Sequence, residues 1–434
     1  MNIKVFTAFS GYDSQCMALD RLHQHNPHFN YELVGWAEID KYAIQAHNAV
    51  YPQWADRNYG DISRIDWQQV PDFDLFTYSS PCQDFSQAGK QAGGTEGSGT
   101  RSSLLWECRR AILAKKPKYL LMENVAALVS QKFIRLFNAW QLELESYGYR
   151  NFAKVLNAKD YGVPQNRERI FMVSILDESA RYEFPQPMPL TLRLKDVLED
   201  KVDERYYMSE KAIEGFERRT QRNKEVGNGF AFNPTEGDGV ATCIESTSQT
   251  RMDDNYIKEP TVLGWVRDKE GNVVKRPVVE VANCVTSGKR DNTQNYVVEP
   301  FIVASRGREP QVMTPKRTEY GKQIRKQYEN HEVTEKRKNI QQFEPRTDGV
   351  SNTLTGVQKD NYVFEPSYRI RKLTERECFR LMDVPEAYID RIQQAGISRS
   401  QQYKMAGNSI VVSCMYHIWR RLWIDTHITT LTLF

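Results

Sequence analysis

The chain has 434 residues, 40% of them apolar, enough to bury a sizeable core and to divide into two domains. Its 59 basic and 56 acidic residues leave a formal charge of +3, a bias too mild to require a nucleic-acid partner and compatible with one. Residues 1–11 lack the charged flank and long apolar core of a signal peptide, and no apolar run is long enough to span a bilayer, so a soluble, cytoplasmic, non-membrane protein is expected.

In chain order, residues 3–9 form a short apolar run that enters a turn at Ser10-Gly11. A helix follows, with Cys16, Met17, Leu19 and Leu22 at roughly helical spacing. Residues 31–40 read as a second strand ending in acids, 42–51 as a helix, and 72–80 as a strand that delivers Cys82. The helix 104–116 leads into the strand 118–125; Phe133, Ile134, Leu136, Phe137, Trp140 and Leu144 mark another helix face, and 168–176 is a late apolar strand. Strands alternating with amphipathic helices predict an α/β fold, Rossmann-like, with a mostly parallel sheet covered on both faces. In such sheets ligands collect beyond the carboxyl ends of the strands, which here carry Ser10-Gly11, Glu38, Asp61, Pro81-Cys82 and Glu123-Asn124.

An acid at the end of a second strand, such as Glu38, suits both hydroxyls of a ribose, and Asp61 suits an adenine amino group. Residues 10–14, Ser-Gly-Tyr-Asp-Ser, are not a GxGxxG phosphate loop, which favours a nucleoside cofactor without pyrophosphate. The seven cysteines are odd in number and scattered without zinc-like spacing; most read as small core residues. Cys82 differs. Pro81 restricts the backbone before it, and glycines 89, 93, 94, 97 and 99 give the following segment freedom to close over a reaction that excludes water, although a glycine-rich stretch is also compatible with a plain loop.

Two chemistries on cytosine use a Pro-Cys pair. Zinc deamination needs HxE with PCxxC, and here Phe85 stands three residues after Cys82 and no HxE occurs. Methylation at carbon 5 needs a thiolate adding at carbon 6 and a carboxyl near ring nitrogen 3, for which Glu123 is well placed.

Taken together, these motifs resemble the cytosine-5 DNA methyltransferases of the bacterial and phage modification type. The resemblance covers residues 3–175 and 368–425. It implies that FTAFSG is the first cofactor motif, with Phe9 stacking on the adenine of S-adenosylmethionine and Ser10 and Gly11 beside it. AEID supplies Glu38 and Ile39, GDIS supplies Asp61 and Ile62, and Pro81 and Leu104 complete that side of the pocket. SSPCQDFS makes Cys82 the covalent nucleophile; ENV supplies Glu123 and Asn124; QNRERIF supplies Arg167 and Arg169 for the target nucleotide and its phosphate. The motif at 371–385 supports a recognition domain, and YKMAGNSI returns Asn408 and Ser409 to the cofactor pocket. The sequence departs from the family pattern at Tyr12-Asp13, where the second glycine of Phe-x-Gly-x-Gly is replaced by Asp13. The loop after Cys82 also looks a little longer than usual.

The residues of the last two motifs agree with helices. Thr374 and Glu377 form a capping-box pattern, and Ile410, Cys414, Ile418 and Leu422 lie four apart on one face suited to pack against the first domain. From about residue 191 to 367 the character changes to short apolar stretches rich in charge, glycine and turn residues. NYIKEP, NYVVEP and NYVFEP, beginning at Asn255, Asn295 and Asn361, suggest a recurring strand-and-turn unit, and a basic cluster spans residues 305–339. The expected organisation is a cofactor-binding catalytic domain at 1–190, an inserted, smaller, strand-rich target-recognition domain at 191–367, and a return segment at 368–434.

The resemblance implies sequence-specific methyl transfer from S-adenosylmethionine to carbon 5 of cytosine in double-stranded DNA. S-adenosylhomocysteine is then the product, base flipping exposes the target, and no metal is needed. It also implies a short recognition site, a monomer, and a role beside a cognate restriction endonuclease acting separately, or as a lone regulatory methylase. The alternatives are a tRNA cytosine-5 methyltransferase, disfavoured by the large insert, and a catalytically silent DNA-binding protein, disfavoured by the intact set of Cys82, Glu123, Arg167 and Arg169.

Overall fold

A computed structural model describes residues 1–80, 104–246, 251–260 and 368–425, and the backbone of short strands between 265 and 364. The chain divides into two compact units, Met1–Ile257 with Ile370–Phe434, and Lys258–Arg369.

In the first unit, β1 (Asn2–Ala8), β2 (Asn30–Ala37), β3 (Leu75–Tyr78), β4 (Tyr119–Val125), β5 (Arg150–Asn157) and β6 (Glu168–Ile175) form one sheet in the order β2-β1-β3-β4-β6-β5. β1 to β4 are parallel; β6 is antiparallel to β4, and β5 to β6. The expected α/β architecture with a mostly parallel sheet is therefore present. A strand alternates its side chains between the two faces, and the central strands here are apolar on both. Leu75 of β3, Leu121 of β4 and Val173 of β6 enter one core cluster, while Phe76, Leu120 and Met172 enter the other.

Helices fill both faces. The helices α1 (Ser14–His25) and α2 (Lys41–Val50) contribute to the first cluster, and α3 (Cys108–Lys115) and α4 (Ile134–Ser146) to the second. The helix α5 (Glu210–Glu225) supports a small separate cluster through Phe216, packed with Phe232, Met252 and Tyr256. After the return of the chain come α6 (Glu375–Arg380), α7 (Glu386–Gln394), α8 (Arg399–Asn408) and α9 (Val412–Trp423). Cys16, Cys108, Cys378 and Cys414 are buried, free thiols, in keeping with their reading as core residues.

The capping box at α6 is complete: Thr374 Oγ1 accepts from Glu377 N at 3.2 Å, and Glu377 accepts from Thr374 N at 2.8 Å. The same carboxylate takes two bonds from Arg371, at 2.8 and 2.9 Å, with both side chains wholly buried. On α9, Cys414, Ile418 and Leu422 are buried, as is Ile410 just before it. The ring of Trp423 stacks on Phe29 at 5.3 Å, and Tyr416 Oη meets His25 Nδ1 at 2.9 Å, which seals α9 against α1 and the residues that follow it. A second tie is the Asp20 carboxylate of α1, which accepts hydroxyls from Tyr31, Tyr51 and Tyr388 at 2.6, 2.6 and 2.8 Å.

The shift in composition near residue 191 and the compact boundary at Lys258 do not coincide, because Leu194 and Val197 are buried in the main core. The small strands β7 (Thr235–Glu236), β8 (Tyr256–Pro260) and β14 (Tyr368–Lys372) form a sheet in the order β14-β8-β7. Further along, β9 (Trp265–Arg267) and β10 (Val273–Lys275) pair antiparallel, and β11 (Phe301–Ala304) pairs antiparallel with β12 (Glu344–Pro345) and β13 (Asn361–Phe364). The first and third copies of the NY-x-x-EP repeat thus supply strands β8 and β13; the second, and the basic cluster at 305–339, lie outside the described residues. Among the described residues, no helix is long and apolar enough to cross a membrane.

Candidate active site

The strand order places β2 on one side of β1 and all later strands on the other, so a switch point opens beyond the carboxyl ends of β1 and β3. At this edge the chain leaves β1 through a tight turn in which Phe9, Gly11 and Asp13 all have positive φ, at 55°, 59° and 65°. Ser10 pins the turn: its Oγ donates to Thr7 O at 2.9 Å, and its carbonyl accepts from Asp13 N at 2.8 Å. Gly11 N donates to Glu38 Oε2 at 2.9 Å, so the acid at the end of β2 holds the turn at the end of β1. The other oxygen, Glu38 Oε1, accepts the amides of Ile39 and Asp40, both at 2.8 Å. Ile39 beside it is 70% exposed, an apolar side chain left open at the rim.

Sequence reasoning missed Asn58. Its Oδ1 accepts from Glu38 N at 3.2 Å and Gly60 N at 2.9 Å, and its Nδ2 donates to Glu38 O at 3.2 Å, tying the Glu38 turn to the residue before Asp61. Asn58 belongs to no recognisable motif, and only its nearness to the GDIS stretch hinted at a role. Asp61 caps a short 3-10 turn; bonds from the hydroxyl and amide of Ser63 lower its carboxyl below the ordinary range. Ile62 is buried in the second core cluster, against which Phe9 and Leu104 are partly buried.

The second group lies at the ends of β4 and β6. Their register pairs Glu123 with Phe171, which puts Glu123 on the same face as Arg169, two residues along β6. Arg169 Nε reaches Glu123 Oε1 at 3.3 Å. Burial raises the Glu123 carboxyl above its ordinary range, against the opposing pull of Arg169 and Arg167. Asn124 points elsewhere: its Nδ2 donates to Ser80 O at 3.1 Å, and its Oδ1 accepts from Val125 N at 2.9 Å. It thereby fixes Ser80, just past the end of β3 and two residues before Cys82 in the chain. Pro81, Cys82 and the glycines that follow lie outside the described residues.

Arg167 and Arg169 occupy different settings. Arg167 is 3% exposed and spends its guanidinium on the carbonyls of Ile244, Gly407 and Ser409, at 3.0, 2.9 and 2.7 Å, and on Cys243 Sγ at 3.3 Å. It is a staple between β6, the segment at 243–244 and the end of α8. Gly407 has a matching need for closeness, since a Cβ there would lie 2.4 Å from the backbone of Glu245 and Ser246. Ser409 Oγ donates to Ser14 Oγ at 3.1 Å, and Lys404 Nζ pairs with Asp40 at 2.6 Å, so the last motif meets the first one. Asn408 is exposed at this junction. No group of three His, Cys, Asp or Glu side chains among the described residues is placed to hold a metal ion.

The family model for C-5 cytosine-specific DNA methylases matches residues 3–423. The chain is 38% identical to the type II methyltransferase M2.ScrFI of Lactococcus lactis subsp. cremoris, over 49% of this chain and 71% of that protein. It is 30% identical to the orphan methyltransferase M.SPRI of Bacillus phage SPR over 98% of each chain. The fold resembles that of the Entamoeba histolytica methyltransferase EhMeth, with a TM-score of 0.58 at 14% identity over 98% of this chain and 99% of that one.

Proposed function

Given that the chain belongs to the C-5 cytosine-specific DNA methylase family, we propose that it transfers a methyl group from S-adenosylmethionine to carbon 5 of a cytosine flipped out of double-stranded DNA, at a short recognition site. The observation that carries this reading is the buried Glu123, its carboxyl raised by desolvation, facing Arg169 at the carboxyl end of β4.

The residues at the switch point fit the cofactor. Glu38 presents its carboxylate at the end of β2 for the ribose, Ile39 offers an exposed apolar side chain, and Phe9 and Leu104 add apolar surface for an adenine. When bound, S-adenosylmethionine supplies an electrophilic methyl group. The thiolate of Cys82 adds to carbon 6 of the cytosine, and the ring becomes an enamine whose carbon 5 is nucleophilic. Glu123, its carboxyl raised by burial, holds a proton at ring nitrogen 3 as charge develops there, with Arg169 fixing the carboxyl in place. Carbon 5, once methylated, gives its proton to solvent water, the electrons of that C–H bond re-form the 5,6 double bond and expel the Cys82 thiolate, and ring nitrogen 3 returns its proton to Glu123. Asn124 sets the exit of β3 that leads to Cys82, and Arg167 keeps β6 and the end of α8 in register.

Strands of the unit Lys258–Arg369 are assigned to reading the DNA sequence, and the catalytic unit to the chemistry. The protein works as a monomer, either beside a separate restriction endonuclease or alone, as the type II and orphan relatives suggest by name. The test incubates the protein with genomic DNA and labelled S-adenosylmethionine, then maps 5-methylcytosine by sequencing, with Cys82→Ser alongside. Methylation confined to one short motif and lost in the variant is the expected result. Transfer to tRNA in place of DNA, or transfer that survives Cys82→Ser, would overturn the reading.

A further inference from the structure

Asp13 is the one residue of the β1–α1 turn with a carboxyl side chain, and it has no exposed surface. Its backbone sits in the left-handed region, at φ 65° and ψ 55°, which is strained for a residue with a side chain. Burying a carboxylate adds a further cost that only close partners offset. A glycine at this position would carry neither cost, so the contacts of the side chain are where a purpose is to be sought.

Those contacts reach three elements. Oδ1 accepts from Cys16 N at 3.2 Å and caps α1; Oδ2 accepts from Thr7 Oγ1 of β1 at 3.0 Å; and the same Oδ2 lies 3.4 Å from Nε2 of the fully buried His47 on α2. The His47 ring stacks on Trp36 of β2, with centroids 3.7 Å apart and planes 21° apart. Trp36 is two residues before Glu38, which receives Gly11 N from the turn itself. The chain of contacts runs from Asp13 to His47 by proximity and packing, since His47 Nε2 makes no hydrogen bond among the described residues, then from His47 to Trp36, and from Glu38 back to Gly11.

We propose that Asp13 is a positioning residue for the cofactor, fixing the Ser10–Tyr12 turn against α2 through His47 so that Gly11 and Glu38 stay in register at the rim. The role rests on the reading of this crevice as the S-adenosylmethionine pocket. A mere helix cap would steady α1 alone; the link to α2 and β2 gives the carboxylate hold of the other half of the pocket.

The experiment measures calorimetric affinity for S-adenosylhomocysteine, steady-state KM for S-adenosylmethionine and for DNA, kcat, and melting temperature. The variants are Asp13→Gly, Asp13→Asn and His47→Gln. In Asp13→Gly, which accepts the backbone but loses the anchor, affinity for S-adenosylhomocysteine falls about tenfold, as expected for the loss of one buried hydrogen-bonding side chain. KM for S-adenosylmethionine rises in step, while kcat and KM for DNA stay within about twofold. Asn tolerates the left-handed region and keeps an acceptor for Cys16 N, so Asp13→Asn recovers most of the affinity. Should Asp13→Gly fail to fold, His47→Gln, which leaves the cap in place, carries the same expectation at about threefold. Wild-type affinity in Asp13→Gly with a lowered melting temperature would reduce Asp13 to a helix cap and overturn the proposal. A parallel rise of KM for cofactor and DNA would overturn it as well, since the damage would then be global. Wild-type protein that binds no S-adenosylhomocysteine would overturn the pocket assignment itself, an outcome separate from the behaviour of the variants.

Discussion

Replacing Arg167 and Arg169 one at a time should separate two arginines that lie two residues apart. In Arg167→Met the guanidinium that serves the carbonyls of Ile244, Gly407 and Ser409 is gone. A hydrogen bond from a charged donor contributes roughly 1.5–3 kcal/mol net, so three of them sum to about 4–9 kcal/mol. Against this stands the cost of burying the cation, several kcal/mol in proteins generally, which the methionine no longer bears. Burial pushes the Arg167 guanidinium below its ordinary value, the direction in which this cost acts. The difference leaves a loss of roughly 2–4 kcal/mol, a large share of the ~5–15 kcal/mol that holds a typical protein together. Urea unfolding followed by tryptophan fluorescence should show the midpoint fall in Arg167→Met. Arg169→Met, whose parent side chain is 17% exposed beside Glu123, should unfold near the wild-type midpoint while kcat drops by about 10²-fold or more. Equal stability in the two variants, or a stable Arg167→Met that has lost only DNA affinity, would refute the staple and return Arg167 to the DNA contacts expected from its motif.

Two further outcomes follow from buried carboxyls. Glu123 has a raised value in the folded state, so its protonated form is present at low pH and lost as pH rises through that raised value. The kcat profile should therefore fall on its alkaline side through a carboxyl titration displaced upward, and Glu123→Gln should lower kcat by about 10²–10⁴-fold and remove that limb; an unchanged limb would assign it to another group. Glu377→Ala strips the wholly buried Arg371 of its partner and should cost about 3–5 kcal/mol in unfolding free energy, with partial recovery in the double variant Arg371→Met/Glu377→Ala; a loss below 1 kcal/mol would mean that water reaches Arg371.

Much of the sheet was legible because its strands are apolar and alternate with helices of clear period. The exception is β5, an edge strand with Arg150, Asn151 and Lys154, whose single partner β6 supplies register that no local pattern announces. The capping box at Thr374 and Glu377 was readable because both halves lie within one turn of helix. The bidentate bond to Arg371 was not, since many Arg–Glu spacings of that kind occur on solvated surfaces. In the candidate site, Glu38 and Glu123 were legible as acids at strand ends. The distinct settings of Arg167 and Arg169 were invisible, because the partners of Arg167 are carbonyls at 244, 407 and 409, and carbonyls carry no sequence signal. His47 escaped for a similar reason: it lies in a helix of ordinary pattern, and Asp13 becomes its neighbour only through folding. The compact boundary at Lys258 was not legible near residue 191, because Leu194 and Val197 sit in a polar stretch yet enter the main core.

The bond between Ser14 and Ser409 joins positions 395 residues apart. During synthesis the first motif must therefore wait for nearly the whole chain. At about 5–20 residues per second that wait is roughly 20–80 s. A ribosome-bound intermediate carrying Phe9, Glu38 and Asp61 still lacks the strap supplied by α8 and by Ser409, which Arg167 secures. The unit Lys258–Arg369 leaves the ribosome before that strap does. Nascent chains thus keep this rim unfinished until the unit Lys258–Arg369 has been made, and under the proposed function that order withholds methyl transfer until the unit proposed to read the DNA is present.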